Sequence, residues 1–294
     1  MSDTTYKRRF GDRKEGRLLR SYPAYNKFTP FVMKTSNDSC NYFADSIEVT
    51  DIERWLRQKR AEGYKGMGIM HLFLAAYVRT VAFRPGLNRF VSGQRIYARN
   101  EIEVLMTVKR SMSDDSEETS IKVKFTPADT IFDIYRKINE KIDEIKASEE
   151  GNGTEKFANA MIRLPRIFLN LAISILKGLD YMGWLPESLL DISPFHGSMI
   201  MTDLGSLGIP PVFHHIYNFG NLPLFISFGA KRRAIELDET GTPVERKYVD
   251  FKATVDERTC DGFYMAASFK YLKHFLRNPQ LLEVPPERVE QDIF

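Results

Sequence analysis

Cysteine is nearly absent: Cys40 and Cys260 are the two among 294 residues. That excludes a disulfide scaffold and an all-cysteine metal site. It points to a reducing compartment, with one disulfide left open. Long apolar runs are absent as well. The longest uncharged one, residues 167–176 between Arg166 and Lys177, is about half the roughly 20 residues that a spanning helix needs. The first 20 residues carry seven basic side chains (Lys7, Arg8, Arg9, Arg13, Lys14, Arg17, Arg20) and three acids, with no apolar region behind them. This is not a secretory signal. The expectation is a soluble, cytoplasmic protein with no transmembrane segment. An excess of one charge is also missing: 42 basic residues face 39 acidic ones, a net of +3. So balanced a chain gives no footprint for a nucleic-acid partner.

The usual chemical signatures are missing too. There is no G-x-G-x-x-G, no P-loop, no H-E-x-x-H and no G-x-S-x-G. Nucleotide binding by those routes, zincin chemistry and a hydrolase elbow are therefore unsupported. The five histidines (His71, His196, His214, His215, His274) show no zinc spacing with the cysteines, so no metal is expected.

What is present is core material. Phe occurs 21 times and Tyr 13 times, enough for one large globular domain. Residues 41–49 read as a strand with Phe43, Ile47 and Val49 on one face. Thr50 and Glu53 have the spacing of a capping box and start a helix through Ala61. Residues 69–83 read as a buried helix stopped by Arg84-Pro85-Gly86. Strands follow at 103–109 and 120–125, joined by an acidic surface loop at 113–118. Ile131, Ile134, Tyr135, Ile138, Ile142 and Ile145 mark one face of a helix capped by Asp129 or Thr130. Residues 155–195 are helical and rich in Ile, Leu, Phe and Met. They read as a hairpin packed on the body, with a cap over a substrate tunnel or a surface-lying amphipathic element as alternatives. Strands at 197–203, 222–230 and 246–256, a turn at Gly241 and a last helix at 263–276 complete the pattern. Strands and helices interleave without a strict βαβ repeat, which predicts an α/β mixed sheet with helices against it. Residues 1–20 form a basic arm read as solvated, with a subunit contact or an anionic surface as alternatives. Prolines at 279, 285 and 286 end the ordered chain, leaving 286–294 as a tail.

Two segments carry possible chemistry: Thr202-Asp203-Leu204-Gly205, and Asp256-Glu257-Arg258-Thr259-Cys260-Asp261-Gly262. By itself the second reads as a turn with Asp261 as helix N-cap. Taken with Phe225-Ile226-Ser227-Phe228-Gly229 and the helix ending Leu276-Arg277-Asn278-Pro279-Gln280-Leu281-Leu282, the order resembles the catalytic domain of 2-oxoacid dehydrogenase acyltransferases, relatives of chloramphenicol acetyltransferase. In that family a T/S-x-S-x-L-G strand ending precedes a D-H-R-x-x-D/N-G motif. Weaker similarity covers residues 71–88 and 121–138, so the resemblance spans most of 40–285, with 155–195 as a helical insertion.

The resemblance implies a two-layer α/β sandwich with a mixed sheet, assembled as a homotrimer with an active site at each subunit interface. Its substrates would be coenzyme A or lipoyl thioesters. Carried over by position, Thr202 falls on the oxyanion-stabilising hydroxyl, Arg258 on the motif arginine and Asp261, before Gly262, on the structural acid that pairs with an arginine. The departure is Glu257, which stands where the family has its histidine base. A carboxylate near 4.3 is about 4 units below a thiol near 8.5 and a poor base for it. Burial in an apolar tunnel raises such a group, and pairing with Arg258 lowers it.

Three readings follow for that slot: a tuned Glu257 base, a substitute group, or binding without turnover. His214 and His215 are the substitute and tunnel-lining candidates, although Phe219 breaks their H-H-x-x-x-D-G likeness. His71 reads as a satisfied core residue. Cys260 reads as a packed small residue or, beside Arg258, a reactive thiol. The chain has no lipoyl domain and no Ala/Pro-rich linker, so the expected function is a stand-alone acyltransferase acting on acyl-coenzyme A and a thiol or hydroxyl acceptor. The alternative is a non-catalytic relative that binds an acyl thioester or serves as a trimeric assembly element.

Overall fold

In a computed structural model, residues 6–109, 118–147 and 153–293 are described. The chain opens with β1 (Gly16–Leu18) and α1 (Ala24–Val32), then β2 (Cys40–Glu48), α2 (Thr50–Ala61) and α3 (Ile69–Phe83). Next come β3 (Arg89–Ser92), β4 (Arg95–Arg99), β5 (Ile102–Lys109), β6 (Glu118–Phe125) and α4 (Ile131–Ala147). Three helices follow: α5 (Gly153–Ile162), α6 (Arg166–Met182) and α7 (Glu187–Ile192). β7 (Met199–Asp203), β8 (Leu224–Leu237), β9 (Pro243–Asp256) and α8 (Gly262–Arg277) complete the chain. The acidic 113–118 loop expected at the surface lies, but for Glu118, outside the described residues.

The main sheet has the order β2-β9-β8-β7-β5-β6. β7 runs parallel to both β5 and β8, and the other pairs are antiparallel, so the sheet is mixed. A second sheet, β1-β4-β3, carries residues 16–18 and 89–99. Alternation along the strands decides what lies inside. In β9, Val249, Phe251, Ala253 and Val255 are buried in the core shared with α3, α4 and α8, while Thr254 and Lys252 project to the other face. α3 is buried on nearly every side, because sheet and helices enclose it; Phe73 stacks on Phe228 with ring centroids 5.1 Å apart. Each such side chain contributes about 1.5–3 kcal/mol through removal of apolar surface from water.

Local chemistry departs from the pattern at the start of α2. Thr50 and Glu53 form no capping box. Thr50 Oγ1 accepts the Lys247 N–H at 3.1 Å, and Glu53 is bound by Lys231 at 2.6 Å and Lys247 at 2.9 Å. Burial acts to raise the Glu53 carboxyl, but the two ammonium groups outweigh it and hold the group at about 2. Two cations on neighbouring strands compete better for this carboxylate than one backbone amide. The reciprocal box sits instead at Thr130 and Asp133, where Thr130 N–H donates to Asp133 at 3.1 Å and Thr130 Oγ1 accepts the Asp133 N–H at 3.3 Å.

The described residues toward both ends are tied down rather than loose. Asp12 is buried and bound by Arg20 at 3.0 Å, so residues 6–20 are not a simply solvated arm. Asp292 pairs with Arg89 at 2.5 Å, both side chains nearly inaccessible, and Glu290 N–H donates to Ala82 O at 2.8 Å. The ordered chain therefore continues past its prolines.

Residues 155–195 are largely helical but make little core. None of the residues of α6 or α7 is buried. A polar clasp holds them. His196 Nε2 is hydrogen-bonded to Asp180 Oδ1 at 3.0 Å, and its Nδ1 to Ser193 Oγ at 2.7 Å. Asp180 Oδ2 accepts the Gly220 N–H at 3.2 Å. Gly220 has a φ of 87°, and a Cβ there would overlap the Phe195 carbonyl oxygen, so this close approach requires glycine. Lys122 Nζ donates to Leu190 O at 2.6 Å, and burial under α7 pushes this lysine down to about 8.

Candidate functional site

β9 ends at Asp256, and a turn over residues 257–259 hands the chain to α8. Asp261 is the N-cap: its Oδ1 accepts the Tyr264 N–H at 2.8 Å. The resemblance implied an arginine pair for this acid. The carboxylate that meets Arg258 is Asp256 instead, through Nε at 2.9 Å and Nη2 at 2.6 Å. Arg258 also donates to Met33 O at 3.2 Å and Ser36 Oγ at 3.0 Å, and its own N–H bonds Asp256 at 3.0 Å. Arg258, Asp256 and Ser36 are all buried. The i,i+2 spacing lets both side chains turn to the same side of the strand exit, and bidentate geometry then fixes the pair. Gly262 opens α8, and a Cβ there would meet open space within the chain.

Glu257 is exposed in the single chain. Its N–H donates to Ser39 O at 2.8 Å, so its backbone is fixed. Its carboxylate meets no cation among the described residues, Arg258 being occupied. Cys260 is buried, and burial pushes its thiol up to about 11. Its place in the apolar core cluster fits the packed-residue reading and not an accessible nucleophile. Neither cysteine is in a disulfide.

Thr202 lies near the C-terminal end of β7, on the sheet face opposite the helices. It pairs with Ser227 of β8, which pairs with Lys252 of β9, so the three form a row across the sheet. Residues 209–218 cross this face. Ser227 Oγ donates to Val212 O at 2.5 Å, and Thr254 Oγ1 donates to His214 O at 2.6 Å. The segment thus runs from the Thr202 end of the face to the Glu257 end. His214 stacks on Phe225, centroids 4.2 Å apart at 10°. Its Nε2 is buried without a partner, and burial, then His215, push its imidazole down. His215 is exposed, edge-on to Tyr217 at 5.1 Å. His71 is buried; its Nδ1 accepts the Gly68 N–H at 3.2 Å, while Nε2 finds no partner.

Thr202 and Glu257 do not meet within one chain. β9 is antiparallel to β8, so it ends at the opposite edge of the sheet from the end of β7. Glu257 lies five residues beyond Lys252 and two strands over, which is roughly 17 Å along the strands and about 10 Å across. The structure gathers Glu257, Arg258, Asp261 and Gly262 at one end, with His214 close to that end, and leaves Thr202 at the other. A cleft of about 440 Å³ lies elsewhere, lined by Arg13, Arg17, Asn88, Arg99 and Asp292 among others, and no motif residue lines it.

Sequence reasoning missed Asp256 and Ser36 as the partners of Arg258, although the D-x-R spacing was a usable signal. It also missed the Ser193–His196–Asp180 chain, in which Asp180 comes from α6 and Ser193 and His196 from the segment after α7, with no motif to mark it. That array has the side chains of a catalytic triad, but Ser193 and His196 are buried and the hydroxyl also accepts the Phe195 N–H at 3.3 Å; it fastens the end of α6 to the segment after α7. Among the described residues no group of three or more His, Cys, Asp or Glu side chains is arranged to hold a metal ion.

Among solved structures, the chain is similar to a probable dihydrolipoamide acetyltransferase from Listeria monocytogenes, with a TM-score of 0.54 at 15% identity, covering 91% of this chain and 95% of that one. It is similar to chloramphenicol acetyltransferase, with a TM-score of 0.52 at 13% identity, over 89% of this chain and 99% of that one. It is also similar to a dihydrolipoamide acetyltransferase from Azotobacter vinelandii, with a TM-score of 0.52 at 12% identity, over 94% of both chains. No family model matches the chain, and no curated protein matches it. The fold is the chloramphenicol acetyltransferase-like α/β fold, shared at identities where sequence has diverged almost completely.

Proposed function

We propose that this protein is an acyltransferase of the chloramphenicol acetyltransferase-like fold, which takes an acyl group from coenzyme A or a related thioester to a thiol or hydroxyl acceptor. Its working unit is a homotrimer, in which Glu257 of one subunit faces Thr202 of the next. The observation that carries this reading is the engagement of Arg258 by Asp256, Ser36 and the Met33 carbonyl. Among the described residues it leaves the Glu257 carboxylate without a neutralising cation, at a strand exit where its N–H is bound to Ser39 O, available as a base.

In the reaction, Glu257 takes the proton from the acceptor S–H or O–H, and the acceptor atom attacks the thioester carbonyl carbon. The Thr202 hydroxyl donates to the oxyanion of the tetrahedral intermediate. Collapse breaks the C–S bond, and protonated Glu257 returns its proton to the departing coenzyme A thiolate. Purified protein should release free coenzyme A thiol from acetyl-coenzyme A only when dihydrolipoamide or another acceptor is supplied, and Glu257→Gln should abolish that release. Turnover unchanged in Glu257→Gln would remove Glu257 from the mechanism.

A second reading rests on the same residue. A carboxylate in the imidazole slot favours a relative that binds an acyl thioester without turning it over. Saturable binding of acetyl-coenzyme A with no thiol release, whatever the acceptor, would decide for it.

A further inference from the structure

Two features stand outside the acyl-transfer reading: an insertion with an exposed apolar surface, and the basic segment near the N-terminus. They adjoin each other. Arg13 donates to the carbonyls of Met182 and, at 2.6 Å, Tyr181; Lys14 donates to Leu185 O at 3.0 Å. The basic segment is thereby held against the C-terminal end of α6.

The surface of α6 is sorted into three arcs. At roughly 100° per residue, Ile167, Phe168, Leu171 and Ile175 share one arc, and they are 79%, 60%, 57% and 54% exposed. Leu169, Ala172, Leu176 and Leu179 share the next arc, which is half-buried toward the body. Arg166, Asn170, Ser174 and Lys177 line the remaining one. From residue 157 to residue 179 the charged side chains are Arg163, Arg166 and Lys177, all cationic, with no acid among them. Trp184, 65% exposed, follows the helix end, where an amphipathic ring suits an apolar–polar boundary.

We propose that the insertion and the adjoining basic segment dock the protein on the surface of an anionic lipid bilayer. An apolar arc rimmed by cations alone is complementary to acyl chains beneath anionic headgroups. It is poorly complementary to a second copy of itself, since a self-paired face would set Arg163, Arg166 and Lys177 against their own counterparts with no acid to meet them. The attachment is peripheral: α6 has 17 residues, and among the described residues no helix is long and apolar enough to cross a membrane.

The test uses the full chain with mixed phosphatidylglycerol/phosphatidylcholine vesicles and with pure phosphatidylcholine vesicles. Wild type should co-sediment with the mixed vesicles, and binding should fall steeply with added salt and on pure phosphatidylcholine. Phe168→Ser/Leu171→Ser should lose binding. Arg163→Gln/Arg166→Gln/Lys177→Gln should weaken it on the order of a hundredfold, about fivefold for each cation removed. In a Trp55→Phe background, Trp184 emission should shift to the blue on mixed vesicles. Circular dichroism checks that each variant is folded, and the two sets remove different contributions, so failure of one to fold leaves the other informative. The proposal is overturned if wild type stays in the supernatant with mixed vesicles. It is equally overturned if both variants bind as wild type does, or if Phe168→Ser/Leu171→Ser lowers the oligomeric mass while vesicle binding is absent, which would make the face a contact between copies.

Discussion

Arg258 grips Asp256, two residues earlier, with two hydrogen bonds of 2.9 and 2.6 Å, and so turns its charge away from its immediate neighbour Glu257. This pairing divides a run of consecutive charges into a buried pair, Asp256 and Arg258, and the exposed Glu257 between them.

The buried half should behave as structure. Arg258→Ala leaves the Asp256 carboxylate, 2% exposed, without its cation. A loss of about 3–5 kcal/mol follows from stranding one member of a buried pair. Chemical denaturation of the variant should show it as a lowered midpoint with an unchanged slope. A stability equal to wild type would mean that Asp256 is not held as described.

Thr202 should matter to rate and not to folding. Its side chain makes no hydrogen bond among the described residues, so Thr202→Val costs little stability. If the hydroxyl meets the oxyanion, turnover should drop on the order of a hundredfold or more with KM nearly constant. Thermal melting and steady-state kinetics on the same preparation separate the two effects.

Restoring an imidazole at position 257 is the converse experiment. Glu257→His places a base near 6.5 against an acceptor thiol near 8.5, a closer match than a carboxylate. Thiol release should increase, with a rate that rises through about pH 6.5 as the imidazole loses its proton. A variant slower than wild type at every pH would argue that the surroundings are shaped for a carboxylate.

His71 makes stability depend on pH. Burial holds its imidazole down at about 4, against about 6.5 in the unfolded chain. Between those values the unfolded state binds the additional proton, so stability rises with pH across the window. The contribution is fully present above about 6.5 and is lost as pH falls through 4, amounting to about 3 kcal/mol. His71→Leu should flatten that part of the stability profile measured by denaturation from pH 4 to 7.

Much of this arrangement was legible in the chain order of its side chains. The alternation Val249, Phe251, Ala253, Val255 and the 3/4 spacing of Ile131, Ile134 and Ile138 fixed strand and helix locally, since one-sided burial imposes those periods whatever the partner. The Asp256–Gly262 segment and its Asp261 cap were readable for the same reason: their bonds close within a few residues. Tertiary structure alone decided that Ser36 and the Met33 carbonyl complete the grip on Arg258, that Glu53 serves two lysines, that Asp292 seals Arg89, and that the apolar α6 stays in solvent. Each depends on groups far apart in sequence competing for one partner, and distance and burial, which no local pattern encodes, settle that competition.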